Sequence, residues 1–181
     1  MHPSLSQLPR STFAISTPTD RSIEVRREFA APRGLLWDAW TRPDLLRRWY
    51  GGPSGWRLEE CEIDLRVGGA WRYLIVHENG RTMAQSGVYR VVEAGHTLVT
   101  SETNDDCEAR AGAPEAVTTT EFEDVGGGRC LVIMTLLLAT SELRDALLSS
   151  GMDRGLSASY DRVDRLVVEL GTHDEDRTAT P

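Results

Sequence analysis

Residues 22–29 read Ser-Ile-Glu-Val-Arg-Arg-Glu-Phe, and Ile23, Val25, Arg27 and Phe29 share one face of a period-two pattern. This predicts a strand. The period then changes. Pro32 stands where a helix start tolerates it, and Leu36, Trp37 and Trp40 follow at helical spacing. Pro43 interrupts before Leu45, Leu46 and Trp49, so two short helices are expected. After Gly51-Gly52-Pro53 the alternation returns and persists, predicting antiparallel strands over 56–61, 71–77, 86–92, 97–103, 117–122 and 131–138. Asn79-Gly80 is the strongest hairpin signal among their turns, because both positions tolerate positive φ. Gly126-Gly127-Gly128 reads as another turn and not as a phosphate cradle, since no helix follows it. Over 155–170, Leu156, Tyr160, Val163, Leu166, Val167 and Leu170 recur at steps of three and four, which predicts one long amphipathic helix.

Strand, two helices, strand meander and closing helix make an α+β domain over 22–170, with the sheet burying one face against the last helix. Residues 1–21 and 171–181 are polar, with few apolar anchors, and are expected to be disordered tails. The acidic, turn-rich segment 104–114 is expected to be an exposed loop.

The pattern does not fix every face. Over 71–77 one side carries Trp71, Tyr73, Ile75 and His77 and the other Arg72, Leu74 and Val76, and both are apolar enough to turn inward. Over 131–138 nearly every residue is apolar. If Leu131, Ile133 and Thr135 face the core, then Val132, Met134 and Leu136 need another cover, either the N-terminal segment or a second copy in a homodimer.

Composition narrows the chemistry. The chain has 181 residues, 40% of them hydrophobic, enough for one domain with a fair core. All 20 basic residues are arginines, so Schiff-base lysine chemistry and a P-loop lysine are excluded. The net charge of -8 opposes nucleic acid and anionic membrane as partners. The 3 cysteines, Cys61, Cys107 and Cys130, are odd in number and widely spaced, which suggests neither a disulfide framework nor a zinc site and fits a reducing cytoplasm. No signal peptide or membrane-spanning run is expected. His2, His77, His96 and His173 are scattered, so no metal is expected, and neither a nucleophile elbow nor a nucleotide fingerprint is present. No cofactor is predicted. All 5 tryptophans, Trp37, Trp40, Trp49, Trp56 and Trp71, fall in one stretch, where they can pack a core or wall a pocket.

Several segments, taken in order, resemble a known family. They are 36–44 (Leu-Trp-Asp-Ala-Trp-Thr-Arg-Pro-Asp), 48–53 (Arg-Trp-Tyr-Gly-Gly-Pro), 64–72 (Asp-Leu-Arg-Val-Gly-Gly-Ala-Trp-Arg), Gly87-Val88-Tyr89, 151–155 (Gly-Met-Asp-Arg-Gly) and 159–166 (Ser-Tyr-Asp-Arg-Val-Asp-Arg-Leu). The match is to the activator of heat-shock protein 90 ATPase homologue family, within the START-like (SRPBCC) superfamily. Gly52 is an extra glycine relative to many relatives, and Arg129 stands where a threonine is common. The resemblance implies a helix-grip, Bet v 1-like fold: a curved antiparallel sheet wrapped around a long C-terminal helix, with a cavity between them. It also implies that the faces bearing Tyr89, Glu102, Thr118, Thr120, Phe122 and Ile133 point inward. With Trp37, Trp40, Trp49, Tyr50, Trp71, Tyr73, His77, Met152, Leu156 and Tyr160, these make up the expected ligand-binding set. The expected ligand is a small apolar or aromatic molecule held by a carrier, sensor or sequestering protein. A cyclase- or hydrolase-type cavity enzyme and a chaperone ATPase co-regulator are the alternatives the resemblance leaves open. No catalytic residue is assigned.

Overall fold

A computed structural model of the chain describes residues 13–103 and 116–178. The acidic loop expected at 104–114, with Cys107, lies outside the described residues, as do 1–12, with His2, and 179–181. The described strands are β1 (Ala14–Ser16), β2 (Ser22–Phe29), β3 (Trp56–Ile63), β4 (Ala70–His77), β5 (Thr82–Glu93), β6 (Thr97–Thr103), β7 (Ala116–Gly126) and β8 (Arg129–Leu137). The helices are α1 (Arg33–Thr41), α2 (Pro43–Trp49), α3 (Ser141–Ser149) and α4 (Met152–Thr178). The strands form one antiparallel sheet in the order β1-β2-β8-β7-β6-β5-β4-β3. The expected α+β helix-grip architecture is met.

Local chemistry sets the helix boundaries. Pro32 is the residue before α1 and Pro43 the first residue of α2, places where a missing N–H costs no helical bond. Thr140 caps α3, its hydroxyl accepting the Leu143 N–H at 3.3 Å. Three elements differ from expectation. Residues 14–16, assigned to a tail, pair with β2. The helix α3 was not anticipated, and none of its residues is fully buried. The closing helix begins at Met152 and continues into the segment expected to be a tail.

Cross-strand register decides the faces. Ile23, Val25, Arg27 and Phe29 of β2 stand opposite Leu136, Met134, Val132 and Cys130 of β8. Because Ile23, Val25 and Phe29 belong to the buried core, so does that face of β8. The expectation for β8 is therefore reversed. Val132, Met134 and Leu136 face inward and are not the surface on which a second copy or the N-terminus was expected to sit. Ile133, expected inside, lies on the other face. It stays only 4% exposed there, in register between Arg26 and Glu121. In β5 a bulge between Tyr89 and Val91 shifts the alternation, so that Val92, not Val91, packs against the core.

Arg27 is the unusual member of the inner face. Its side chain is buried, and its guanidinium donates to Asp161 of α4 at 2.8 Å and also to Asp164. A charge emerging from the middle of an apolar strand thus fixes where the closing helix crosses the sheet.

Candidate functional site

Register and burial divide the concave face of the sheet into two halves. In the first, aromatic rings fill the space. Trp40 of α1 lies 4.4 Å from Trp49, 5.7 Å from Phe122, 5.7 Å from Tyr160 and 6.0 Å from Phe29, measured between ring centres. Trp37 meets Phe122 edge-on at 5.7 Å, and the Trp49 Nε1–H donates to the Ala39 carbonyl at 2.8 Å. Trp37, Trp40, Trp49, Phe122 and Tyr160, all expected at a ligand site, here pack one another in T-shaped and tilted contacts and close this half.

The second half is different. Thr100, Glu102, Thr118, Met134 and Leu136 lie on the same concave face yet are only half-buried, and so are Met152 and Leu156 at the start of α4 and Leu147 and Leu148 of α3. Residues on a helix-covered face keep such exposure where they border space that solvent enters. Thr120, one step nearer the aromatic half, is buried. Met134, Leu147, Leu148, Met152 and Leu156 pack against the core on one side, and Thr100 and Thr118 stand opposite each other in the sheet, beside Tyr89.

A polar and aromatic cluster borders this open half. The question left by the sequence of β4 is settled: Trp71, Tyr73 and Ile75 face inward and are buried. Tyr73 lies 4.9 Å from Trp71 and 5.2 Å from Tyr50, and the Tyr50 hydroxyl donates to Gln85 Oε1 at 2.8 Å. Burial is the main reason all three phenols resist ionisation, pushing Tyr89 up to about 12 and Tyr73 well above the usual value. Tyr50 is raised by burial and then by the negative charge of Glu102, which places that carboxylate in the same electrostatic neighbourhood. At neutral pH the cluster therefore offers neutral hydroxyls.

Tyr50 is held in place from α4. Arg162 donates from Nε to the Trp49 carbonyl at 2.8 Å and from its terminal nitrogen to the Gly52 carbonyl at 2.6 Å. Ser159 accepts the Gly52 N–H at 3.1 Å. Gly52, at φ 89°, adopts the left-handed backbone that this turn requires. The extra glycine noted in the sequence is thus part of a clamp between the α2–β3 turn and the closing helix. Ser159 and Arg162 stand in the family-like segment 159–166 and Gln85 in none, but none of them shows a role in the sequence, because polar residues on a helix or strand read as solvent-facing until their partners are placed.

His77 is not in the open half. Its ring stacks edge-on against Trp56 at 4.9 Å, its Nδ1 accepts the Asn79 N–H at 3.2 Å, and Arg81 lies over the same indole at 5.4 Å. It secures the β4–β5 turn at the sheet edge. Among the described residues no group of three or more His, Cys, Asp or Glu could hold a metal, and no helix is long and apolar enough to cross a membrane. Where α2 meets α4, a surface groove of about 140 Å³ is lined by Arg48, Arg162, Arg165, Leu166 and Glu169.

Comparison with known proteins agrees with this geometry. The family model described as activator of Hsp90 ATPase homolog 1-like protein matches residues 30–168. A crystal structure of a Rhodobacter sphaeroides protein is similar at TM-score 0.78 and 30% identity, over 88% of this chain and 99% of that one. A Mycobacterium smegmatis protein matches at TM-score 0.74 and 21% identity, over 88% and 99%. The AHSA1 protein of Silicibacter pomeroyi matches at 0.64 and 19%, over 84% and 99%. No functionally curated protein matches this chain. The extent of the family match and the shared helix-grip architecture establish that the chain belongs to the activator of Hsp90 ATPase homolog 1-like family of the START-like superfamily.

Proposed function

We propose that this protein binds a small, largely apolar or aromatic molecule in the open half of its interior, between the sheet and the start of α4, and serves as a carrier, sensor or sequestering protein. The observation that carries the reading is the contrast on one concave face: a half closed by aromatic rings beside a half of half-buried Thr100, Thr118, Met134, Leu136, Met152 and Leu156. A mostly apolar wall with a few fixed hydroxyls suits the capture and orientation of a small ligand. The START-like fold supports a ligand-binding or regulatory role in general. The cytoplasm is the setting we assign, in keeping with the free buried thiols of Cys61 and Cys130.

Native mass spectrometry of freshly purified protein, followed by thermal-shift screening of apolar and aromatic metabolites, tests the reading. A co-purified mass or a dose-dependent rise in Tm is expected, and Leu156→Trp, which fills the open half, should abolish it while leaving the fold intact. No bound mass and no shift across the panel would refute it.

A further inference from the structure

Among the described residues three buried side-chain polar atoms lack a hydrogen-bond partner: Arg27 Nε, Trp71 Nε1 and Ser101 Oγ. Buried donors are rarely left unmatched, because each forfeits its hydration without replacement. Arg27 already spends its terminal nitrogen on two aspartates. Ser101 alternates with Thr100 and Glu102 and so belongs to the opposite face of the sheet. Trp71 is the one on the wall of the proposed ligand space, only 7% exposed.

Its position is defined by register. Across the concave face one row runs Ala116, Glu102, Gly87, Trp71, Ile63. Gly87 leaves the middle of that row without a side chain, and the indole occupies the room. The ring carbon Cε2, which is bonded to Nε1, lies 3.0 Å from where a Cβ on Gly87 would stand. Nε1, one bond from Cε2, is therefore close to Gly87, the residue that stands between Trp71 and Glu102 in the row.

We infer that the Trp71 Nε1–H is the ligand-orienting donor of this pocket and that the ligand class is an apolar or aromatic molecule bearing a neutral carbonyl oxygen. The inference rests on the ligand-binding reading above. An indole nitrogen can only donate, so its partner must be an acceptor. Glu102 stands in the same row, so an anionic acceptor there would set a like charge beside its carboxyl group. A ketone, aldehyde, ester or amide satisfies the indole without adding a second negative charge to the row.

Three naphthalenes of similar size separate the terms: 2-acetylnaphthalene with a neutral carbonyl, 2-ethylnaphthalene with no acceptor, and 2-naphthoate with a charged one. Calorimetric titration of the wild-type chain should rank the ketone about tenfold tighter than the hydrocarbon, which is about 1.4 kcal/mol, with naphthoate weaker than the ketone. In Trp71→Phe the ketone should lose its advantage over the hydrocarbon; both lose the same apolar contact with the larger ring, so the ratio of the two affinities reads the donor, and retained hydrocarbon binding reports that the pocket still folds. In the wild type the ketone, and not the hydrocarbon, should move the Trp71 indole N–H resonance downfield. That reading stands without the variant should Trp71→Phe misfold. Equal affinity for ketone and hydrocarbon, or a preference that survives Trp71→Phe, overturns the inference while leaving the pocket in place. Tightest binding of naphthoate overturns the choice of a neutral acceptor. Failure of all three to bind refutes the inference together with the ligand-binding reading for aromatic molecules.

Discussion

Arg162→Met tests whether the closing helix sets the geometry of the site. The substitution keeps most of the aliphatic stem but removes the donors that reach the Trp49 carbonyl at 2.8 Å and the Gly52 carbonyl at 2.6 Å. A hydrogen bond from a charged donor contributes about 1.5 to 3 kcal/mol. Arg162 is half-buried, so the lower figure applies to each bond, and the freed carbonyls regain some hydration. The net loss expected is about 2 to 3 kcal/mol. With a urea m-value of about 2 kcal/mol/M, the unfolding midpoint should fall by about 1 to 1.5 M without a change in slope. Arg162→Lys can reach one carbonyl and should recover about half. Ser159→Ala removes the acceptor of the Gly52 N–H and should cost about 1 kcal/mol alone. Combined with Arg162→Met it should cost less than the sum, because both changes release the same turn. If Arg162→Met unfolds within about 0.5 kcal/mol of wild type, a value ordinary for surface changes, the clamp carries no weight and Tyr50 must be positioned by other contacts.

Two further outcomes follow from the interior. All 4 tyrosines, Tyr50, Tyr73, Tyr89 and Tyr160, have phenols raised chiefly by burial. A raised folded pKa means the native state holds its protons more tightly, so this contribution to stability is complete below about 10 and is lost as pH rises through the folded values, about 12 for Tyr89. Ultraviolet titration should show no phenolate step near pH 10 in the folded chain and a normal one in urea; a folded-state step there would contradict the burial. At the sheet–helix junction, Arg27→Ala should lower stability by about 3 kcal/mol, since it removes both bonds to Asp161 and Asp164 and leaves a void. Arg27→Met fills that void and removes the unmatched Nε, so its loss should be about 1 kcal/mol. Chemical denaturation of the pair checks this, and equal losses would mean that the charge and not the volume dominates.

The order of elements was legible because the sequence changes period cleanly, from alternation at 22–29 to helical spacing at 33–49 and back. Faces were harder to read. On β2 the four residues that share a face were grouped correctly, and that face proves to be the inner one although it contains Arg27, a charge that composition would place in water and that α4 makes tolerable. On β8 alternation had nothing to distinguish, since Val132 and Ile133 are equally apolar; only the pairing with β2 orients them. The bulge at Tyr89 shifts the pattern by one residue with no glycine or proline to announce it. At the site, the tryptophans were visible as a cluster but not by role. Trp37, Trp40 and Trp49 pack together through contacts between elements far apart in sequence, whereas Trp71 stands on the opposite side of the concavity with its N–H unmatched. Arg162 was visible only as part of a family-like segment and Gln85 not at all, because their roles come from the partner atoms.

The strand order also bears on how the polypeptide is made. The strands β3 to β8 pair with their immediate successors, so the meander can assemble in the order in which a ribosome releases it. The first long strand cannot. Ser22 of β2 is bonded in register to Leu137 of β8, and Arg27 waits for Asp161 and Asp164, which emerge still later. Until β8 leaves the exit tunnel, β2 has an unpaired edge, and until α4 follows, the rings of α1 and α2 lack the Tyr160 face against which they settle. Closure of this domain thus waits for its last helix, and the nascent chain displays its most adhesive surfaces until that helix is free.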